Sequence, residues 1–220
     1  DIVRFLHVPT GRVDVTPLGP GLATAGNPLP PVEARRRFDL GSAPLVLTVS
    51  AKRPHKNLAR LFEAFAKLDV SEEPVLVVPG YSTVFEDELQ ERAEDLGLGT
   101  RVRFTGWVDD PALDGLYHAA DCFVFPSLAE GFGLPVLEAM LRGVPVACSR
   151  VGALEEVAGD GALYFDPTDV GDIARAIESL LTDEELRVRL RSAGLERAKL
   201  FSWDATAEAT LACYERALRS

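Results

Sequence analysis

The 220-residue chain is 47% hydrophobic and 26% charged, which is enough to fill one core and ordinary for a globular protein. Its formal net charge of −11 and isoelectric point near 4.8 argue against nucleic acid or an anionic membrane surface as the main partner. No apolar run approaches the roughly 18 residues of a membrane span, DIVRFLHVPTG lacks the build of a signal peptide, and Cys122, Cys148 and Cys213 have no metal-type spacing, so a cytoplasmic chain is expected.

The chain begins without Met, as a mature product or an excised fragment would. Residues 1–43 are rich in Gly and Pro and read as an entry linker with one edge strand over VDVTPL. A regular alternation follows. PLVLTVS (44–50) predicts a buried strand, and residues 56–68 a helix with Leu58, Leu61, Phe62, Phe65 and Leu68 on one face. Strand 74–80 ends at Pro79-Gly80, polar helix 84–97 is closed by Gly97, and strand 102–108 precedes helix 111–120 with Pro111 in its first turn. Strand 122–127 leads to helix 133–143, strand 144–149 to helix 153–159, and strand 162–167 to three helices over 170–183, 184–201 and 203–219.

Six strand–helix units predict an α/β fold: a Rossmann-like parallel sheet of about six strands with helices on both faces. The near-continuous apolar strands fit burial on both sides. The expected division is 1–43 as linker and edge element, 44–201 as the Rossmann-like domain and 202–220 as a C-terminal helix. In such sheets ligands bind beyond the carboxyl ends of the strands, where strand order reverses. That directs attention to loops 50–57, 79–83, 106–110, 127–134 and 149–153.

In PSLAEGFGLPVLEAM, Gly131, Phe132 and Gly133 turn the chain into a helix, where open amides favour an anion such as phosphate. Glu130 beside them would repel phosphate alone but can accept hydrogen bonds from sugar hydroxyls. Glu138 lies about 12 Å further along the helix axis, placed for a second polyol such as ribose. Two carboxylates for two sugars, with phosphate between, describe a nucleotide sugar. The bland alternative makes Glu130 a cap acid and Glu138 a solvated helix residue, but Glu138 stands between Leu137 and Ala139 in an apolar helix. In SAKRPHKNL, three cations (Lys52, Arg53 and Lys56) crowd a helix start that disfavours positive charge. A bound diphosphate would turn that cost into charge-assisted bonds; a solvated basic turn is the alternative. The acidic pair Asp109-Asp110 reads as no metal site, since an Asp before Pro111 is more simply a helix cap. His118 reads as structural, and His55 either reaches phosphate or is a bystander.

SLAEGFGLPVLEAMLRGVPV resembles the Glu-x7-Glu signature of the group 1 (family 4) retaining glycosyltransferases. VRFTGWVDDPALDGLYHAADCFVFPS, GALEEVAGDGALYFDPTDVGDIARAI and FSWDATAEATLACYERAL are similar to the family's flanking segments, so the likeness covers nearly the whole chain. The resemblance implies one half of a GT-B enzyme, the donor-binding domain, with 203–219 as its crossing helix. It implies that Glu138 holds the ribose hydroxyls and that Glu130 contacts the donor sugar as a positioning and electrostatic group. Gly131, Phe132, Gly133 and Leu134 would present backbone to sugar and phosphate, and Lys56 would grip the diphosphate. The family's partner Arg falls on Ala51, which leaves Arg53 or Lys52 to substitute. Trp107 and Val108 would lie against the base, with core or lid packing as the other reading of Trp107, and Tyr81 would shape the base pocket.

The resemblance further implies transfer with retention from a UDP- or GDP-sugar, with no metal or other cofactor. The acceptor, a saccharide or lipid-linked saccharide, would be held by an N-terminal domain outside this chain, and any contact with the inner membrane face would come through that other domain. The domain alone is expected to bind nucleotide weakly and turn over little. A non-catalytic nucleotide-sugar-binding module, and a phosphorylase or epimerase on the same fold, are the alternatives. No Gly-x-Gly-x-x-Gly follows the first strand, which speaks against a dinucleotide oxidoreductase.

Overall fold

A computed structural model describes residues 2–21 and 27–219. Short aliphatic runs form β1 (Leu45–Leu47), β2 (Val75–Pro79), β3 (Val102–Gly106), β4 (Cys122–Phe125), β5 (Val146–Ser149) and β6 (Ala162–Phe165). The helices are α1 (Ile2–Leu6), α2 (Pro31–Arg37), α3 (Leu58–Phe65), α4 (Glu86–Asp95), α5 (Asp110–Ala119), α6 (Leu134–Leu141), α7 (Gly152–Ala158), α8 (Val170–Thr182), α9 (Glu184–Ala198) and α10 (Trp203–Arg219). All strand pairs are parallel, in the order β3-β2-β1-β4-β5-β6.

Side chains alternate across each strand, as the pleat requires. Leu45, Leu47, Phe123, Phe125, Val146 and Cys148 join one core layer under α5, α6 and α7, with Leu116, Tyr117, Leu137, Met140 and Leu154. Val46, Leu76, Val78, Val124 and Ala147 join the other, under α3, α4 and α8, with Leu61, Phe62, Phe65, Ala93, Ile173 and Ile177. Phe62 and Phe65 are fully buried, so truncating either to Ala would cost about 3–5 kcal/mol. Burial also pushes the Cys148 thiol up to about 12, with Glu155 adding to the effect, so this cysteine is an inert packing group.

Helix starts follow local chemistry. Asp109, Asp169 and Asp183 cap α5, α8 and α9, accepting from Ala112 N, from Gly171 and Asp172 N, and from Leu186 N. Strand order reverses between β1 and β4, so the loops after these two strands stand at the switch point, the crevice at which such sheets bind ligands.

The first 43 residues differ from expectation. Residues 13–18 form no strand. Their neighbourhood is fastened to α10 instead, through Thr206 Oγ1 to Pro17 O at 2.6 Å and Trp203 Nε1 to Pro20 O at 2.9 Å, so side chains satisfy carbonyls that a sheet partner would otherwise take. Within the presumed linker, Pro31 at the first turn starts α2, which packs on α5. Only Ala34 of α2 is buried, too little for a periodic apolar signal. Residues 22–26 of that span lie outside the described residues.

Candidate active site

The loop after β1 meets the loop after β4 along a seam of polar contacts. His55 O accepts from Leu128 N at 2.8 Å. Lys56 Nζ pairs with Glu130 Oε1 at 2.6 Å and lies 5.3 Å from the centre of the Phe125 ring. The two side chains are only 17% and 11% exposed, so the pair is shielded far better than a surface salt bridge. Asn57 takes a left-handed conformation (φ 60°) between a short 3-10 turn and α3. That turn aims its amide across the crevice, where Nδ2 donates to Pro126 O at 3.0 Å and Pro167 O at 2.8 Å. One side chain thereby ties together the segments that follow β1, β4 and β6.

Glu130 leads into a turn with unspent donors. Among the described residues, the amides of Gly131, Phe132, Gly133 and Leu134 donate no hydrogen bond. Val136 N and Leu137 N close on Gly133 O at 2.9 and 3.3 Å, so α6 is fastened from its third residue on. Gly133 sits at φ 99°, and a β-carbon there would run into Leu154; only glycine combines that backbone with that approach. The Phe132 ring turns inward, edge-on to Phe201 at 5.7 Å, and leaves its backbone facing out.

Glu138 is 7% exposed, with Tyr117 Oη donating to its Oε2 at 3.1 Å. Burial, with the Glu138 charge adding to it, raises the Tyr117 hydroxyl well above its ordinary value, so this group stays a donor across the physiological range. Arg142 lies over the Tyr117 ring and holds the Glu138 carbonyl at 3.0 Å. A buried carboxylate with dedicated partners is not the solvated helix residue of the bland alternative.

The three cations after β1 part company. Lys56 alone meets Glu130. Lys52 is fully buried and turned inward, where Nζ donates to Gly80 O and lies 3.6 Å from Glu86 Oε2. Burial lowers its pKa against the raising effect of Glu86. Lys52 is therefore a brace between the loops after β1 and β2. Arg53 is exposed and lines a cavity of about 370 Å³ with Phe85, Glu88, Leu89 and Arg92. Its guanidinium makes no hydrogen bond or ion pair among the described residues.

Trp107 is 61% exposed and stacks on Tyr81 at 6.5 Å, which rules out core packing for it. Val108 is buried and can offer a ligand only backbone. Asp109 caps α5 and pairs with Arg37 at 3.3 Å. His118 Nδ1 donates to Asp114 O at 2.8 Å on the exposed side of α5. Sequence reasoning missed Asn57 and Tyr117. The Asn-Leu step after Lys56 was a readable signal for the first, whereas the second reaches Glu138 from a different helix.

Comparison with known proteins agrees with this geometry. Residues 33–197 match the family model described as glycosyl transferases group 1. The chain is 36% identical over 223 residues to O-antigen chain mannosyltransferase B of Escherichia coli, covering 98% of this chain and 57% of that protein. It is 34% identical over 225 residues to MMP alpha-(1->4)-mannosyltransferase of Mycolicibacterium hassiacum, covering 99% and 52%. Among solved structures it superposes on sucrose-phosphate synthase from Thermosynechococcus elongatus with a TM-score of 0.80 and 30% identity, covering 93% of this chain and 52% of that one. The chain thus spans about half the length of the curated relatives it matches. Its architecture is that of one Rossmann-like half of a GT-B glycosyltransferase, and the chain belongs to the group 1 glycosyl transferases.

Proposed function

We propose that this chain is the donor-binding part of an enzyme that moves a hexosyl group, with retention and without a metal ion, from a nucleotide diphosphate to an acceptor hydroxyl. The observation that carries the reading is the joint placement of Lys56, Glu130 and four unspent amides at the switch point, with the buried Glu138 on the helix they open. Glu130 exchanges its bond to Lys56 for hydroxyls of the donor sugar. Lys56, released, and the amides of Gly131 to Leu134 take the diphosphate, while Glu138 takes the ribose diol. Backbone beside Trp107 and Val108 faces the base. As the anomeric carbon–oxygen bond breaks, charge gathers on the leaving phosphate oxygen, where fixed donors stabilise it without reorganising.

Mannose is the first sugar to test, since two of the similar proteins are named as mannosyltransferases. The acceptor is a saccharide or lipid-linked saccharide held by a further domain. Arg53 joins the phosphate site only if its side chain leaves the cavity it lines.

Calorimetry against a panel of UDP- and GDP-sugars, GDP-mannose among them, tests the proposal. One of them should bind, and Glu138→Ala should weaken it about tenfold or more, the worth of hydrogen bonds to a charged group. Unchanged binding in that variant would refute the ribose assignment.

A further inference from the structure

Glu138 is bordered by Gly21, at the end of the stretch 17–21, more than a hundred positions earlier in the chain. Gly21 approaches so closely that a β-carbon on it would lie 2.6 Å from Glu138 Oε1. The other carboxylate oxygen, Oε2, is held from within the core by the Tyr117 hydroxyl at 3.1 Å. On its far side the same stretch is strapped to the first turn of α10: Trp203 Nε1 donates to Pro20 O at 2.9 Å and Thr206 Oγ1 to Pro17 O at 2.6 Å. Gly19 makes that approach possible, since a β-carbon there would fall 2.6 Å from the Trp203 backbone nitrogen. No residue of α10 is buried, so the helix holds the strap through these hydrogen bonds rather than through a packed face.

The geometry points to residues 17–21, fastened by Trp203 and Thr206, as the element that positions the Glu138 carboxylate for the donor's ribose and links the placement of α10 to donor affinity. This rests on the donor-site reading above. The physical basis is the asymmetry of the two carboxylate oxygens. Tyr117 holds Oε2 from within the core, and Gly21 stands close against Oε1. Gly21 does not have a positive φ, and alanine there brings no backbone strain. Its methyl group meets the far end of a flexible side chain, which can swing aside at small cost in stability. That swing moves the oxygen a ribose hydroxyl would use.

The test uses the protein at its full natural length, with nucleotide-sugar affinity, donor KM, kcat and melting temperature measured side by side. Gly21→Ala is expected to weaken the nucleotide sugar about tenfold, with kcat at saturating donor within about twofold and the melting temperature shifted by no more than about 2 °C. Trp203→Phe and Thr206→Val, which each remove one strap bond, are expected to weaken it about threefold. In a Glu138→Ala background, Gly21→Ala should cost nothing further, because its effect runs through that carboxylate. Affinity unchanged in Gly21→Ala, or the full loss persisting without Glu138, overturns the inference. So does a structure of Gly21→Ala with the Glu138 carboxylate unmoved, a readout that needs no ligand. If the unsubstituted protein binds none of the nucleotide sugars, the donor-site reading fails instead, and that result is distinct from a strap variant behaving like the parent.

Discussion

Replacing Glu130 by Gln keeps the shape of the loop after β4 and removes one negative charge from beside Lys56. The carboxylate lies 2.6 Å from Lys56 Nζ and is little exposed, so the charges of the pair sum to about zero. An incoming nucleoside diphosphate then meets a paired lysine and a nearby carboxylate of its own sign. Two like charges about 5 Å apart at an effective permittivity of about 20 repel by ~3 kcal/mol. If solvent and side-chain relaxation halve that, about 1.5 kcal/mol remains, or a factor of about ten. Salt does little to hide the effect, because the separation is shorter than the Debye length of about 8 Å. Glu130→Gln is therefore expected to bind UDP or GDP about tenfold more tightly while transferring sugar more slowly, since the glutamine is a weaker acceptor for the donor's hydroxyls. Calorimetry with the free nucleotides and a turnover assay with the matching sugar donor separate the two effects. Weakened nucleotide binding in this variant would show that Glu130 supports the phosphate site rather than opposing it, and undisturbed turnover would remove it from the sugar site.

Three further outcomes follow from the same geometry. Tyr117→Phe removes the hydroxyl that donates to Glu138; donor binding should fall about five- to tenfold by calorimetry, because a hydrogen bond to a charged group is worth ~1.5–3 kcal/mol and part of that loss relaxes. Asn57→Ala leaves the Pro126 carbonyl unpaired and the Pro167 carbonyl with only a long bond from Arg60 at 3.5 Å, and it puts a β-branchless but chiral residue at φ 60°. A loss of about 3 kcal/mol is expected, read as a melting point lower by roughly 6–12 °C, with Asn57→Gly recovering only the backbone share. For Lys52, burial lowers the folded-state pKa below 10.5, so between the two values the unfolded chain binds more protons and stability rises with pH. The unfolding free energy of the natural chain minus that of Lys52→Met should therefore climb from neutral pH toward pH 10.5 in urea titrations, and a flat difference would refute the assignment.

Periodicity carried most of the fold. The strands betrayed themselves as buried aliphatic runs such as Val75 to Val78, and the helix over Leu58–Phe65 by its apolar spacing, because both patterns are local consequences of burial. The Glu130–Glu138 pair was legible for a different reason: one carboxylate stands just before a glycine-rich turn and the other inside the apolar helix that the turn opens. What remained hidden depends on direction and distance. Lys52 and Lys56 look equivalent in sequence, yet the turn between them sends one into the core beside Glu86 and the other to Glu130. Residues 13–18 have strand composition, but side chains of α10 take their neighbours' carbonyls before any strand can. The Tyr117 contact with Glu138 joins residues on two different helices, which no local pattern encodes.

The amide of Asn57 grips segments beyond two other strands, one of which leads straight into α8. A molecule that stiffens the turn carrying Asn57 must by reciprocity quieten Pro167 and the helix start beyond it, although it touches neither. Slowed amide exchange at the beginning of α8 would then announce an occupied crevice from the opposite half of the sheet.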